Sequence, residues 1–243
     1  METFGLLLLI ALAAALYSSV GQGGGSGYIA AMALIGLAPE VMKPSALAMN
    51  VAVTLFSLWL IRDWKLIPSR LFWPLVLPSI PAAVLGGYYL PTSHVYAYLV
   101  AGALIVAGVT LCRGQAQQAG TKKPSITLLI PIGAILGLVS GLSGVGGGIF
   151  LSPILLFAGW AELRVVMAIS SAFILLNSAA ALVGFGISGL AWPSELPAML
   201  VAALAGATLG TYFGRRYLST AALRRILGVV LLFAALRMLL SSH

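Results

Sequence analysis

Gly144-Val145-Gly146-Gly147-Gly148 interrupts an apolar stretch that otherwise runs from Ile126 to Ala158. An echo, Gly21-Gln22-Gly23-Gly24-Gly25, stands 123 positions earlier inside another apolar stretch. Clustered glycines break a helix, and a break inside hydrocarbon carries a penalty. Each unpaired N–H or C=O there costs several kcal/mol, so non-helical backbone persists only where protein buries it or where it lines a cavity. Two such breaks at corresponding places in two halves of a chain point to the binding site of a secondary transporter.

The composition around the breaks agrees. The chain has 243 residues, 61% of them hydrophobic and 7% charged, where ordinary globular chains carry roughly 25% charged residues. This excludes a soluble domain and predicts an all-α, polytopic helical membrane protein. The net charge of +8 does not signal nucleic acid, because the Lys and Arg residues sit in short loops between apolar spans, where they set topology. A single cysteine, Cys112, excludes an intrachain disulfide and a cysteine cluster for metal. The first apolar run follows Met1-Glu2-Thr3 without a basic segment and reads as a retained helix, not a cleaved signal.

In order, Phe4–Tyr17 leads into the first break and Tyr28–Leu37 resumes, a piece about half the roughly 20 residues a crossing needs. Ala38-Pro39-Glu40 reads as a turn. Spans follow from Lys43-Pro44 to Ile61, from Leu71 to Leu90 with Pro74, Pro78 and Pro81 as kink sites, and from Val95 to Cys112. The second half replays this order: Ile126–Val139, the second break, Ile149–Ala158, then spans at Val165–Ile187, Leu196–Phe213 and Ala221–Leu240. Leu85-Gly86-Gly87-Tyr88 matches Leu209-Gly210-Thr211-Tyr212, and Val41-Met42 matches Val166-Met167. The expected organisation is a first repeat over 1–112, a cytoplasmic linker over 113–125 and a second repeat over 126–243. Each repeat has one glycine-broken segment plus three spans. Trp59, Trp64, Trp73, Trp160 and Trp192 all fall near span ends, where interfacial aromatics belong.

Charge then decides orientation. The basic loops are Arg62–Arg70, Arg113–Lys123 and Arg215–Arg225, whereas the segments around His94 and Glu195 are poor in Lys and Arg. If each broken segment returns to its own side, all three basic loops face the cytoplasm and the two repeats have inverted topology. Sequence leaves open whether the broken segments are re-entrant hairpins or full spans.

Consecutive amides in a tight glycine turn form an anion-binding nest, and a helix beginning at Ser26 or Ile149 adds its positive end. Positive φ is expected at Gly24 and Gly147. The predicted substrate contacts are Ser19, Gly21, Gln22, Gly23, Gly24, Gly25, Ser45 and Asn50 in the first half. In the second half they are Ser143, Gly144, Gly146, Gly147, Gly148, Ser170, Ser171 and Asn177. Thr54, Ser18, Ser26, Ser140 and Ser152 are neighbouring hydroxyls. By contrast Gly133, Gly137 and Gly141, and Gly206, Gly210 and Gly214, have the spacing of helix-packing motifs, and Gly137→Ala is expected to be mild. Lys43 reads first as an interfacial lysine snorkelling to headgroups and second as a cation that draws anions toward the external mouth.

Gly141-Leu142-Ser143-Gly144 resembles the nucleophile motif of rhomboid intramembrane proteases. A serine nucleophile needs a base, and the one histidine after Ser143 is the terminal His243. An enzyme is therefore not expected, nor is a metal site or a cofactor. The glycine cluster, with Pro153 after it and Ala168-Ile169-Ser170-Ser171 beyond the next turn, resembles the sulfite exporter TauE/SafE family over essentially the whole chain. That resemblance implies a transporter of sulfur-containing anions such as sulfite, sulfonates or sulfoacetate in the bacterial inner membrane. The implied partners are a small anionic substrate and the lipid bilayer, with no nucleic acid and with homo-oligomerisation left open. The alternatives are a permease for another small solute or metal ion, and a non-transporting membrane scaffold.

The orientation is testable with single cysteines in a Cys112→Ser background. Ser69→Cys, Gln117→Cys and Ser219→Cys should be shielded from an impermeant thiol reagent in intact cells, while Ser93→Cys and Ser194→Cys should label. Labelling of position 219 from outside would restore a parallel arrangement.

Overall fold

The computed structural model describes residues 2–19, 23–61, 63–89, 93–113, 124–189 and 191–217, with short helical pieces within 228–240. The described residues form helices and connecting turns. In order these are α1 (Glu2–Ser19), α2 (Gly25–Ile35), α3 (Pro39–Ile61), α4 (Ser69–Tyr88), α5 (Ser93–Arg113), α6 (Ile126–Ser143), α7 (Gly148–Phe157), α8 (Leu163–Ile187) and α9 (Leu196–Tyr217). A short 3-10 turn, Asp63–Leu66, precedes α4. Among the described residues, four helices are long and apolar enough to cross a membrane: Pro39–Leu60, Ser69–Tyr88, Ile126–Ser143 and Arg164–Ile187. Of the expected last span, Ala221–Leu240, only 228–229, 231–236 and 239–240 are described, all helical, and most of the linker lies outside the described residues.

Local chemistry sets the helix ends. Pro39, expected in a turn, instead opens α3; proline suits a first turn because the missing N–H has no partner there. Gly36, with φ 80°, closes α2, its N–H bonding Ala33 O and that of Leu37 reaching Met32 O. α2 and α7 have 11 and 10 residues, about 15 Å of helix each, or half a hydrocarbon core.

The first break turns the chain back on itself. The Tyr17 hydroxyl bonds with Ser26 Oγ, and a side chain at Gly27 would lie 2.9 Å from Ala13 Cβ. α2 therefore runs back along the end of α1. At the second break Gly147 comes back to Ser140 and Leu136, one and two turns before α6 ends, but α7 packs on α8 and not along α6.

Glycines set how closely the helices pack. A Cβ at Gly133, Gly137 or Gly141 would stand 2.0, 2.2 or 2.4 Å from the carbonyl oxygens of Leu75, Ser79 and Ala83 on α4. At Gly206 and Gly210 it would stand 2.1 Å from those of Ala11 and Ala15 on α1. Between lipid-solvated helices no hydrophobic force favours association, so backbone approach of this kind supplies the packing energy. The expectation that Gly137→Ala would be mild fails, since a methyl group there meets backbone and has no rotamer to escape into.

The pairings recur between the halves. α1 packs on α9 as α6 packs on α4, α9 touches α3 as α4 touches α8, and α2 lies on α3 as α7 lies on α8. As a result the three apolar clusters among the described residues mix the halves. The first is built from α1, α2, α3, α5 and α9 with Val145, Ile149 of α7 and Leu231, Ala234 and Ala235. The second comes from α4, α6, α7 and α8, and Phe150 packs against both. The small third joins Leu47 of α3, Ala83 of α4 and Ala180 and Ala181 of α8.

Gly137→Ala and Gly206→Ala should each lower the melting temperature of detergent-purified protein, as overpacking by about 1–3 kcal/mol would. Gly102→Ala on α5, with open space around it, should be neutral or slightly stabilising. Equal tolerance of all three in a melting assay would deny the close packing.

Candidate functional site

The second break is a sequence of left-handed residues. Gly144, Gly146 and Gly147 have φ of 78°, 90° and 74°, a region where a Cβ is strained. Its backbone is largely satisfied from nearby. Gly144 N–H donates to Ser140 O (2.9 Å), and the N–H groups of Phe150 and Leu151 both donate to Gly147 O (3.1 Å). Ser143 Oγ donates to Val139 O (2.6 Å) and accepts Val145 N–H (3.3 Å), while Tyr96 OH donates to Ser143 O (3.1 Å). The successive amides of Gly146 and Gly147 donate to no described residue, and α7 begins immediately after them.

The first break is built differently. Gly21 and Gln22 lie outside the described residues. Gly24 has φ −90°, not the expected positive value. Its lack of a side chain has another cause: the Tyr28 ring, one turn on, folds back so that a Cβ would meet Cζ at 2.4 Å.

The two breaks meet. A Cβ on Gly25 would lie 2.2 Å from Val145 O and 2.6 Å from Asn50 Nδ2; on Gly146 it would lie 2.7 Å from the same Nδ2. Asn50 thus fills the place where both glycines lack side chains, and its Nδ2 donates to Val145 O at 3.4 Å. Asn50 is the central residue of the 23-residue α3. On the facing helix, Ile174 touches Gly23, Gly146 and Gly148 and stands one residue from the centre of α8. The meeting point therefore lies halfway along both long helices.

Ser178 joins this group, its Oγ 3.3 Å from the Gly146 Cβ position. It is fully buried, and among the described residues neither its hydroxyl nor Asn50 Oδ1 has a hydrogen-bond partner. Two orphaned polar atoms beside two undirected amides make a polar patch in an apolar interior, where such groups ordinarily find partners. Sequence reading missed Ser178. The signal was available in the i, i+4 spacing of Ile174 and Ser178, which mirrors Asn50 and Thr54 on α3.

Other expected contacts are placed elsewhere or engaged locally. Ser19 Oγ donates to Leu16 O, and Ser143, as described, serves its own turn. Ser170 pairs with Ser152 at 2.8 Å and so ties α7 to α8. Asn177 Nδ2 donates to Phe173 O, leaving Oδ1 without a partner among the described residues. Ser45 and Ser171 are buried; Ser45 Oγ has no described partner. Gly144 and Gly148 shape the turn, packing on Lys43 and Ile174.

Lys43 overturns its expected role. It is fully buried instead of snorkelling, and its ammonium donates to the carbonyls of Gly86 (2.8 Å), Gly87 (3.0 Å) and Tyr89 (2.5 Å) at the C-terminal end of α4. Those carbonyls lack intrahelical partners, which explains why a lysine can lie inside the bundle there.

The chemistry available is recognition by neutral groups, amide and hydroxyl donors with Asn50 Oδ1 as an acceptor beside them. No group of three His, Cys, Asp or Glu side chains is placed to hold a metal among the described residues.

Comparison with known proteins agrees with this architecture. The profile of the sulfite exporter TauE/SafE family matches residues 6–238. A protein of Sinorhizobium fredii named "Probable membrane transporter protein y4hK" is 36% identical over 243 residues, spanning 98% of each chain. No solved structure matches. With glycine breaks buried between apolar helices and a family match over nearly its full length, the chain is a multi-pass membrane protein that belongs to the sulfite exporter TauE/SafE family of membrane transporters.

Proposed function

We propose that the chain moves a small sulfur oxyanion, of the sulfite, sulfonate or sulfoacetate type, across the bilayer by alternating access. The halves over 1–112 and 126–243 would be inverted repeats, and the ion would pass where the two breaks meet. The observation that carries this reading is the convergence of Gly25 and Gly146 on Asn50, with Ser178 beside Gly146, near the middle of α3 and α8. The N-terminal ends of two half-length helices abut there, each bringing about half a positive charge. An oxyanion accepts hydrogen bonds from amides, a carboxamide N–H and a hydroxyl, and it needs no fixed cation to neutralise it. The return of α2 along α1 supports, for the first half, the count that puts all three basic loops on one side. The family's description supplies the sulfur class.

The direct test is flux into proteoliposomes against sulfite, methanesulfonate and sulfoacetate, with and without a proton gradient. Binding by isothermal titration separates the roles of the residues. Asn50→Asp keeps the shape but presents a carboxylate to the anion, and Ser178→Ala removes a donor. A lost hydrogen bond to a charged group is worth about 1.5–3 kcal/mol, so Ser178→Ala should weaken methanesulfonate binding roughly tenfold or more, and Asn50→Asp should weaken it further. Saturable binding of a cation, with none for any sulfur oxyanion, would overturn the anion assignment.

A further inference from the structure

The path described so far has no use for Lys43, although a fully buried ammonium is among the most costly groups to place in this interior. Its three N–H groups are all engaged by three carbonyl oxygens, those of Gly86, Gly87 and Tyr89, which matches the donor capacity of an ammonium. The acceptors belong to a rigid end of α4. A Cβ at Gly86 would lie 2.6 Å from Leu138 O on α6, and one at Gly87 would lie 2.0 Å from Ala181 O on α8. The backbone of Lys43 faces the second break on its other side, its carbonyl oxygen and Cα lying 3.1 and 3.2 Å from the Gly144 Cβ position. One side chain therefore ties α3, the end of α4 and the break together.

We propose that Lys43 is a latch that closes the path at the end of the bundle nearest His94, and that it is released by an oxyanion carrying three oxygens. Moving α3 away from α4 strips the ammonium of its carbonyls. Left bare in an apolar interior, the charge opposes that movement. A sulfonate or sulfite group offers three acceptor oxygens and a negative charge to the same three N–H groups, and charge-assisted bonds of this kind are stronger than those to neutral carbonyls. A cation or a neutral solute offers no such exchange, so the latch selects for substrate class. The device is one-sided. The match of Val41-Met42 with Val166-Met167 places Ala168 opposite Lys43 in the second half, and alanine has nothing to bind α9 with. The oxyanion in this proposal rests on the transport reading above; the closure by Lys43 does not.

The test uses detergent-purified full chain carrying Cys112→Ser and Ser45→Cys, a fully buried position two residues from the latch. The rate of modification by a charged methanethiosulfonate reagent reports opening. It should be slow in the Lys43 chain, rise roughly tenfold or more with methanesulfonate, and stay slow with chloride. With Lys43→Met it should be fast without any ligand, and with Lys43→Arg it should be slow again, because a guanidinium restores charge and donors. Should Lys43→Met not remain monodisperse, acceleration by methanesulfonate in the Lys43 chain carries the test alone. Calorimetric binding of methanesulfonate without change in labelling would overturn the latch and leave the transport reading standing. Fast labelling with Lys43→Met, together with no binding of any sulfur oxyanion, would retain the closure and overturn its oxyanion key.

Discussion

Backbone that leaves the helical path inside a bilayer must find its hydrogen-bond partners in protein, and this structure is arranged to provide them. The carbonyls of Ser140, Ser143, Val145 and Gly147 are each bonded, by neighbouring amides, by Tyr96 or by Asn50. Those partners come from α3 and α5 as well as from the break itself. Helices long enough to cross are thus required around a segment that cannot cross unaided. The amides of Gly146 and Gly147 stand out against that background because they remain available, beside the two orphaned polar atoms of Asn50 and Ser178.

Close helix packing makes such an enclosure rigid. Gly133, Gly137 and Gly141 bring α6 into backbone contact with α4, and Gly206 and Gly210 do the same for α9 on α1. Because each of these pairs draws one helix from each half of the sequence, neither half closes a core alone. Gly87 and Gly184 hold α4 just as closely to α8, so relative motion within either the α1–α9 pair or the α4–α6–α8 group would break the tightest contacts.

Much of this was legible in the sequence, for identifiable reasons. A run of apolar residues ended by Arg62 or Arg113 marks a span whatever it packs against, and three adjacent glycines mark a break. The packing glycines also showed through their spacing, but not the distance of approach that forbids even a methyl group at Gly137. Features that depend on a distant partner were hidden. Lys43 lies near a span end in sequence, and nothing local reveals that the end of α4 comes to meet it. Gly24 looks like a left-handed turn residue, whereas its reason is the Tyr28 ring folding over it. Ser178 follows Asn177 directly, and only the facing glycine shows which of the two side chains is turned toward the break.

The position of Asn50 at the centre of α3 has an electrical consequence. Carrying one elementary charge across a membrane against its potential involves roughly 2.3 kcal/mol per 100 mV. A monovalent anion held at the level we propose has traversed about half of that drop, so voltage would weigh on its entry and on its departure alike, each by roughly 1 kcal/mol per 100 mV. Neither step would then absorb the whole electrical load, and the turnover of such a carrier would change only gradually as the cell's membrane potential rises and falls.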